Sequence, residues 1–384
     1  MIAHAKSHPI DRSMTAPELT FSRRIRATPF ESRVMAQNPK SFTVYNHMPL
    51  ASVFRTAIDD YEHLCNHVQV WDVSCERQVE VVGKDARALV ELVTPRDVSR
   101  CETGQCMYVP LVDENGGIVN DPVLLRVDKD RYWLSIADSG ALLWLKGIAV
   151  GRGMDVRVVE PDVSPMAVQG PRADDLMATV VGDQVRKIGF FRFIECEIAG
   201  TSVVLARSGW SGQGGFELYL QDFTKGTALW DCIWEAGQQF DIRAGCPNLI
   251  ERIESGLLSY GSDITLENNP AECGLMRFCD VDKEAEYLAR SAMQRITREG
   301  VSRKLVHLMI PGGPISPPRS TYPVSDFDGD IVGQVTSLAW SPRFAANIAF
   351  ASVKYDHSGI GTPLYVEVSE KRCEGVVKNR RWEQ

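Results

Sequence analysis

The sequence lacks a long hydrophobic run, since no segment approaches the roughly 18 consecutive apolar residues of a membrane helix. Residues 1–30 also lack the apolar core of a signal peptide. We therefore expect a cytoplasmic protein that does not associate with membranes. The formal net charge is -8 and Lys and Arg form no long run, so we expect no nucleic-acid partner either.

Motifs for metal, phosphate and hydrolytic chemistry are missing as well. The ten cysteines form no CxxC pair and the seven histidines form no matching cluster, which predicts buried free thiols and no metal site. Neither common glycine-rich phosphate loop occurs. No Ser-His-Asp order and no nucleophile elbow can be assembled, so covalent serine hydrolysis is not indicated.

The chain has 384 residues, of which 44% are hydrophobic and 24% charged, so it is long enough for two or three globular domains. Residues 78–82 predict a strand, and Asp85 after it is a candidate N-cap for a helix. Three strands joined by turns are predicted over residues 106–112, 118–127 and 131–137, with Asn-Gly in the first turn as a strong hairpin signal. An antiparallel sheet is therefore expected beside the helices.

The last part of the chain differs from the rest in its pattern of apolar and turn-forming residues. Residues 247–261 predict one long helix ended by a glycine, with an apolar face and with Glu251, Arg252 and Glu254 on a solvated face. After residue 300, short apolar runs are broken by Pro and Gly. This pattern predicts a small all-β C-terminal domain.

Residues 206–220, ARSGWSGQGGFELYL, couple an indole, a glycine-rich turn and an acidic strand. Side chains two positions apart share a strand face, so Glu217 and Tyr219 are predicted to point the same way. The glycines beside Trp210 remove bulk and allow a flat ligand to approach the backbone. The segment is equally consistent with a floor for a planar, polar cofactor and with an ordinary hairpin that carries a half-buried tryptophan.

Asp121 interrupts an apolar run directly before Pro122, which cannot donate to a strand ladder. A carboxylate in such surroundings needs a donor, although Asp-Pro is also a common turn. Tyr108 and Ser135 lie on neighbouring predicted strands, and packing explains each of them alone. Together these segments supply aromatic side chains with few acids, which suits a cationic methylated ligand because aromatic faces attract such cations. The aromatic set is Tyr45, Tyr108, Trp210 and Tyr219.

At these residues the chain resembles the folate-dependent aminomethyltransferase family, the T-protein of the glycine cleavage system. The resemblance runs from about residue 66 to the end, through WDVSCERQVEVVGKDA, DENGGIVNDPV, AVQGPRA, RIESGLLSYGSDI and GQVTSLAWSP. Within that family the chain is most similar to the dimethylsulfoniopropionate demethylases. This closer resemblance covers residues 22–384 and includes RRIRATPF, VYNHM, HVQVWDV and ARSGWSGQGG.

The resemblance implies a three-domain, cloverleaf-like α+β fold with tetrahydrofolate in its central hole. Residues 1–300 would form a folate-binding core of two interleaved α+β domains, with residues 1–21 as a loose arm. Residues 301–384 would form a β-barrel-like C-terminal domain. The resemblance also implies transfer of a sulfonium methyl group to a pterin ring nitrogen. No lipoyl carrier protein is expected as a partner, and a homodimer is compatible with the sequence.

Roles for individual residues also follow from the resemblance. Asp121 matches the acid of the family's hairpin motif, with a catalytic and folate-orienting role. Glu217 and Tyr219 match the folate-contacting strand, and Arg252 matches a helix arginine with a plausible link to the folate tail. The substrate-binding positions are Tyr45, Tyr108, Ser135 and Trp210, the last of which stands where aminomethyltransferases usually have tyrosine.

Three other functions stay open from the sequence. They are aminomethyl transfer with a lipoyl carrier protein, demethylation of another onium compound such as a betaine, and folate binding without catalysis. Gly212 stands where close relatives commonly carry lysine, and Ala289 stands at a usual glycine. These departures concern the identity of the methyl donor and leave the folate site intact.

Overall fold

The computed structural model describes residues 22–318, 321–369, 371–380 and 382. The arm expected over residues 1–21 lies outside this part of the chain. Within the described part, no helix is both long and apolar enough to cross a membrane. Its helices are α1 (Glu31–Met35), α2 (Ala57–Asn66), α3 (Ala86–Leu92), α4 (Ala141–Gly151), α5 (Ala173–Val181), α6 (Gly226–Gly237), α7 (Leu249–Glu254) and α8 (Arg290–Glu299).

Strands in the same ranges form two larger sheets, two small ribbons and a closed barrel. They are β1 (Ser41–Tyr45), β2 (Met48–Val53), β3 (Val68–Asp72), β4 (Gln78–Val82), β5 (Gln105–Tyr108), β6 (Leu111–Val112), β7 (Ile118–Asn120), β8 (Val123–Asp128), β9 (Arg131–Ser135), β10 (Arg157–Val159), β11 (Ser164–Gln169), β12 (Phe193–Ile198), β13 (Thr201–Ala206), β14 (Gly215–Leu220), β15 (Ile242–Gly245), β16 (Arg303–Ile310), β17 (Pro323–Ser325), β18 (Ile331–Ser341), β19 (Ala346–Lys354), β20 (Pro363–Val368) and β21 (Lys371–Lys378).

The larger sheet has six strands in the order β12-β13-β14-β11-β3-β15, and only β15 pairs in parallel. On β14, Phe216, Leu218 and Leu220 enter a hydrophobic core with residues of α5 and α6. Glu217 and Tyr219 lie on the opposite face, where the Tyr219 hydroxyl meets the Glu217 carboxylate. The alternation predicted for this segment is therefore confirmed.

A buried aromatic contact joins the six-stranded sheet to the second sheet, whose order is β10-β4-β9-β8-β5. Tyr219 packs against Trp133 of β9, with ring centroids 6.3 Å apart. Both rings are excluded from solvent. This contact holds the polar groups of Glu217 and Tyr219 on β14 close to Ser135 at the end of β9.

The predicted hairpin strands are present, but two of them are broken. The run over residues 106–112 divides into β5 and β6 at Val109 and Pro110, and the run over residues 118–127 divides into β7 and β8 at Asp121 and Pro122. Proline has no N–H for the ladder, so each strand stops there. The released strands β6 and β7 pair with each other as a separate ribbon. Asp121 therefore lies where the chain leaves one sheet for another.

Asp85 precedes α3 as predicted, but it does not cap the helix with its side chain. Its carboxylate accepts a hydrogen bond from the Asp155 amide at 2.9 Å instead. The capping prediction is wrong because a donor distant in sequence takes the carboxylate. This contact ties the start of α3 to the segment before β10.

The long helix predicted over residues 247–261 is wrong, since α7 ends at Glu254. Gly256 adopts a left-handed conformation with φ of 68°. The Gly256 amide bonds to the Ile253 carbonyl, and the Leu257 amide bonds back to the Arg252 carbonyl at 2.8 Å. This pair of hydrogen bonds is the Schellman motif, which ends a helix at a glycine.

The charged face of α7 is also not solvated, contrary to the prediction. Glu251, Arg252 and Glu254 are only 0%, 5% and 8% exposed. The Arg252 guanidinium donates to Asp263 Oδ2 at 2.7 Å and to Ser337 Oγ on β18 at 2.5 Å. The buried charges therefore attach α7 to the C-terminal barrel.

The C-terminal barrel closes in the order β16-β19-β18-β17-β20-β21, around a core of aliphatic side chains. The predicted small all-β domain is confirmed. Two of its strands, β17 and β21, were not anticipated because β17 is short and β21 begins with charged residues. The division of the chain at residue 300 stays a prediction.

Replacing Arg252 by Ala should lower the free energy of unfolding by about 3–5 kcal/mol, because it leaves the Asp263 carboxylate buried without its cation. Urea denaturation followed by circular dichroism measures this change. Arg298→Ala, which removes an exposed ion pair with Glu299, is the control and should cost about 0–1 kcal/mol. Equal small losses in both variants would contradict a structural role for the buried pair.

Candidate active site

The ribbon of β1 and β2 carries Tyr45 to the site. Its turn residues Asn46 and His47 have φ of 48° and 64°, the left-handed pair that suits a two-residue hairpin. The buried Asn46 amide donates to the Cys75 carbonyl at 2.9 Å. This bond pins the turn beside the loop between β3 and β4. Burial raises the pKa of Tyr45, with further contributions from Glu76 and Asp121 nearby.

Asp121 is held at the break between β7 and β8 by its own backbone. The Asn120 side-chain oxygen accepts hydrogen bonds from the amides of Asp121 at 3.0 Å and Ala137 at 3.1 Å. The Tyr108 hydroxyl donates to Asp121 Oδ2 at 3.0 Å. Burial raises the pKa of Asp121 to about 7, although the bond from Tyr108 opposes that rise. The carboxylate is therefore poised between its two protonation states near neutral pH.

Glu217, on β14, accepts hydrogen bonds from two hydroxyl groups. Ser208 Oγ donates to Glu217 Oε2 at 2.5 Å, and the Tyr219 hydroxyl donates to the same oxygen at 3.1 Å. Burial nevertheless raises the pKa of Glu217 and that of Tyr219. Ser135, at the end of β9, interacts with the Tyr219 hydroxyl and accepts from Gln78 Nε2 at 2.8 Å.

Glu76 is a site residue that the sequence reasoning missed. It lies half-buried in the loop between β3 and β4. Burial raises the pKa of its carboxyl group, and the nearby Glu217 and Asp121 raise it further. A glutamate in a loop before a strand is usually solvated, so the sequence offered little reason to select it. Only its place inside the WDVSCERQV motif hinted at a role.

Cys75 immediately precedes Glu76 and is 2% exposed. Burial raises the pKa of this thiol well above its ordinary value, and Glu76 and Asp72 add to the effect. All ten cysteines are free, as expected from their spacing.

Trp210 stands on the loop between β13 and β14, which a second unforeseen residue secures. The buried Gln169 side chain donates to the carbonyls of Ser208 and Phe216, both at 3.2 Å, and accepts from Ser211 Oγ at 2.7 Å. The Arg252 guanidinium carbon lies 5.7 Å from the centroid of the indole. The loop is thus fixed next to Glu217 at one end and over α7 at the other.

Gly212 in the same loop donates its amide to Glu251 Oε1 at 2.6 Å. A Cβ atom at this position would lie 2.2 Å from Ser255 Oγ. The Ser255 hydroxyl therefore occupies the space that a side chain at position 212 would enter.

The predicted site residues fall into two neighbouring groups. One group is linked by the hydrogen bonds and close charges described above, and it contains Tyr45, Tyr108, Asp121, Ser135, Glu217 and Tyr219. Trp210 and Arg252 form the second group. Because Asp263, Ser337 and the Leu257 carbonyl accept the hydrogen bonds of Arg252, its link to a folate tail stays a prediction.

The donor and acceptor set fits a reduced pterin. Asp121 and Glu217 present carboxylate oxygens that can accept from pterin N–H groups. Gln78 is 1% exposed, and its Oε1 atom has no hydrogen-bond partner among the described residues. A buried acceptor of this kind is costly unless a ligand or water supplies a donor.

A group that could hold a metal ion lies elsewhere, at the end of α2. One ligand atom from each of His63, His67 and Asp241 lies within 4.8 Å of the others. No sequence signal pointed to this group, because Asp241 is distant along the chain. His63 Nε2 is 2.8 Å from the Asp241 carbonyl, and the Arg243 guanidinium lies 3.9 Å from the Asp241 carboxylate. These contacts compete with a metal ion for His63 Nε2 and for the Asp241 carboxylate.

Comparisons with known proteins agree over nearly the whole chain. The family described as GCVT N-terminal domain matches residues 27–283, and the glycine cleavage T-protein C-terminal barrel domain matches residues 303–381. The dimethylsulfoniopropionate demethylase DmdA of Ruegeria pomeroyi is 49% identical over 94% of this chain and 98% of its own length. The aminomethyltransferase of Alkaliphilus oremlandii is 30% identical over 84% of this chain and 88% of its own length.

A solved structure shows the same architecture. The glycine cleavage system aminomethyltransferase T from Bartonella henselae superposes with a TM-score of 0.81, at 23% identity, over 94% of this chain and 98% of that one. The α+β aminomethyltransferase fold expected from the sequence is therefore confirmed.

Replacing Tyr108 by Phe should raise the pKa of Asp121 by about one pH unit, because a hydrogen bond to a charged group contributes about 1.5–3 kcal/mol. Carbon-13 NMR titration of labelled aspartates measures it, with Asp121→Asn to assign the signal. Tyr260→Phe is the matched control, since the Tyr260 hydroxyl lies near Asp121 but donates to the Ile118 carbonyl. An unchanged titration in the Tyr108 variant would show that this hydroxyl does not stabilise the carboxylate.

Proposed function

The chain belongs to the glycine cleavage T-protein family, and we propose that it is a tetrahydrofolate-dependent demethylase of dimethylsulfoniopropionate. The products would be 3-methylthiopropionate and 5-methyltetrahydrofolate. The observation that carries the proposal is the similarity to the Ruegeria demethylase, which spans almost all of both chains. The aromatic, acceptor-rich site supports it independently, because such a lining suits a methylated cation.

Tetrahydrofolate, when bound, supplies the nucleophilic ring nitrogen that accepts the methyl group. Glu217 and Tyr219 would hold the pterin on β14, where the hydroxyl of Ser208 fixes the carboxylate. Asp121 would orient the pterin and stabilise positive charge that develops on it. We assign Asp121 no role as a nucleophile.

Trp210, Tyr45, Tyr108 and Ser135 would surround the methyl donor. The sulfonium leaves as a neutral thioether, so the site needs no general acid for the leaving group. Placement supplies most of the catalysis, since holding the reacting atoms about 3–3.5 Å apart and in line removes much of the barrier. The rigid anchoring of the Tyr45 turn and the Trp210 loop serves this purpose.

Partner and location follow from the same proposal. A small-molecule methyl donor needs no lipoyl carrier protein, and the enzyme would work in the cytoplasm as a monomer or homodimer. Aminomethyl transfer with a carrier is less well supported, because the aminomethyltransferases compared are the more distant relatives. A betaine donor is also disfavoured, since a tertiary amine is a much poorer leaving group than a thioether.

Incubation of the purified protein with dimethylsulfoniopropionate and tetrahydrofolate should yield methylthiopropionate and methyltetrahydrofolate in equal amounts without a carrier protein. Chromatography of both products at timed intervals measures the reaction. Parallel incubation with glycine betaine tests the other onium donor at equal concentration. Absence of methylfolate with the sulfonium donor would overturn the proposed reaction.

Replacing Trp210 by Ala should raise the Michaelis constant for the sulfonium donor about 2-fold to 30-fold and leave that for tetrahydrofolate nearly unchanged. This range corresponds to a cation-aromatic contact of about 0.5–2 kcal/mol. Steady-state kinetics with each substrate varied in turn measures both constants. Trp210→Phe keeps an aromatic face and should retain part of the affinity. An equal loss for both substrates would indicate a structural tryptophan.

A further inference from the structure

We propose that Glu76 supplies the negative charge that recognises the cationic centre of the methyl donor. This assignment rests on the proposed function and deepens it. The aromatic side chains around the donor attract a cation only through their faces, whereas the Glu76 carboxylate contributes a full charge once a cation offsets the burial and the neighbouring acids that raise its pKa.

The backbone holds Glu76 firmly in position. Its amide donates to the Val73 carbonyl at 2.9 Å, and its carbonyl accepts from Gln78 Nε2 at 2.8 Å. The preceding residue, Cys75, is bonded to the Tyr45 turn through Asn46. The loop is thus held by hydrogen bonds on both sides of Glu76, and the Glu76 carboxyl group is near enough to Tyr45 to help raise the pKa of that tyrosine.

No basic side chain in the described part of the chain pairs with the Glu76 carboxylate. Among the described residues, no Lys or Arg nitrogen lies within the 4.0 Å of an ion pair with Glu76, Asp121 or Glu217. The adjacent Arg77 turns away and pairs with Glu160. Hydroxyl groups of Tyr108, Ser208 and Tyr219 serve Asp121 and Glu217, but no hydrogen bond to the Glu76 carboxylate occurs in the described part of the chain. Of the three acids, Glu76 is therefore the one whose ionised carboxylate a cationic ligand would stabilise most.

A second, independent observation points to a ligand at the same place. The side chain of Gln78 is bound to the Glu76 carbonyl and to Ser135, yet no described residue donates to its buried Oε1 atom. This acceptor needs an N–H or O–H donor, which a pterin has and a sulfonium lacks, so it marks a ligand site next to the Glu76 backbone and does not itself recognise the cation.

The placement also favours release of the product. Dimethylsulfoniopropionate carries one positive and one negative charge, and loss of the methyl group removes the positive one. The remaining 3-methylthiopropionate is an anion, which Glu76 repels. The same carboxylate therefore attracts the substrate and disfavours the product.

Titration calorimetry on the full-length protein tests this role. Wild type, Glu76→Gln and Glu76→Asp are titrated separately with dimethylsulfoniopropionate, 3-methylthiopropionate and tetrahydrofolate. Glu76→Gln should raise the dissociation constant of the sulfonium about 10-fold to 100-fold, within the attraction expected for unit charges near a protein surface. It should leave tetrahydrofolate binding unchanged and should not weaken binding of the thioether. Glu76→Asp keeps the charge and should restore most of the affinity.

Glu286→Gln is the matched control, because it removes one carboxylate from a side chain that is 74% exposed. Unchanged sulfonium affinity in Glu76→Gln, or equal weakening of all three ligands, would overturn the assignment. If wild type ignores dimethylsulfoniopropionate, the proposed function fails. Titration with glycine betaine then tests Glu76 alone, and a charge-dependent loss there would keep the assignment to a cationic donor.

Discussion

Desolvation of three acidic side chains is the constraint on which the site depends. Glu76, Asp121 and Glu217 approach one another from a loop, a strand break and a sheet face, and no basic residue of the described chain neutralises them. Burying charge without a partner is unfavourable, so the protein reduces the cost with hydroxyl donors. The unfavourable energy that remains is relieved when a cation or an N–H donor binds. The site therefore favours a ligand that brings the positive charge or N–H groups that the described residues do not supply to these carboxylates.

The contact between α7 and the barrel shows the opposite arrangement. There the Arg252 guanidinium, the Asp263 carboxylate and the Ser337 hydroxyl satisfy one another in a buried network. Buried charges that are fully paired make this contact rigid and leave it little affinity for a ligand. Trp210 packs over this network. The aromatic side of the site is therefore held by contacts that ligand binding does not need to break.

Much of the fold could be predicted because its signals are local. The alternation in residues 216–220 and the proline and glycine breaks after residue 300 identify strands without knowledge of their partners. The end of α7 was missed because an apolar period continued through Leu257 and Leu258, beyond the glycine that stops the helix. The charged face of α7 was misjudged because burial depends on the barrel that packs on it, and the barrel is not visible from the spacing of residues.

The site was predictable to the extent that its residues carry a motif. Asp121, Glu217 and Tyr219 were selected by matching positions in the resembling family, and the structure brings them together with Tyr45, Tyr108 and Ser135. Glu76 and Gln169 were not selected, because a loop glutamate and a strand glutamine have no chemical signature in sequence. Both residues belong to the site because segments distant in sequence bring other site residues next to them.

The buried thiol of Cys75 bears on the proposed reaction with a sulfonium compound. Such compounds are alkylating agents, and a thiolate is a soft nucleophile that would accept the methyl group irreversibly. Only the ionised form of a cysteine is strongly nucleophilic, and the high pKa of Cys75 keeps it protonated beside the acids of the site. Under the proposed function, the packing that encloses this sulfur would protect the protein from methylation by its own substrate.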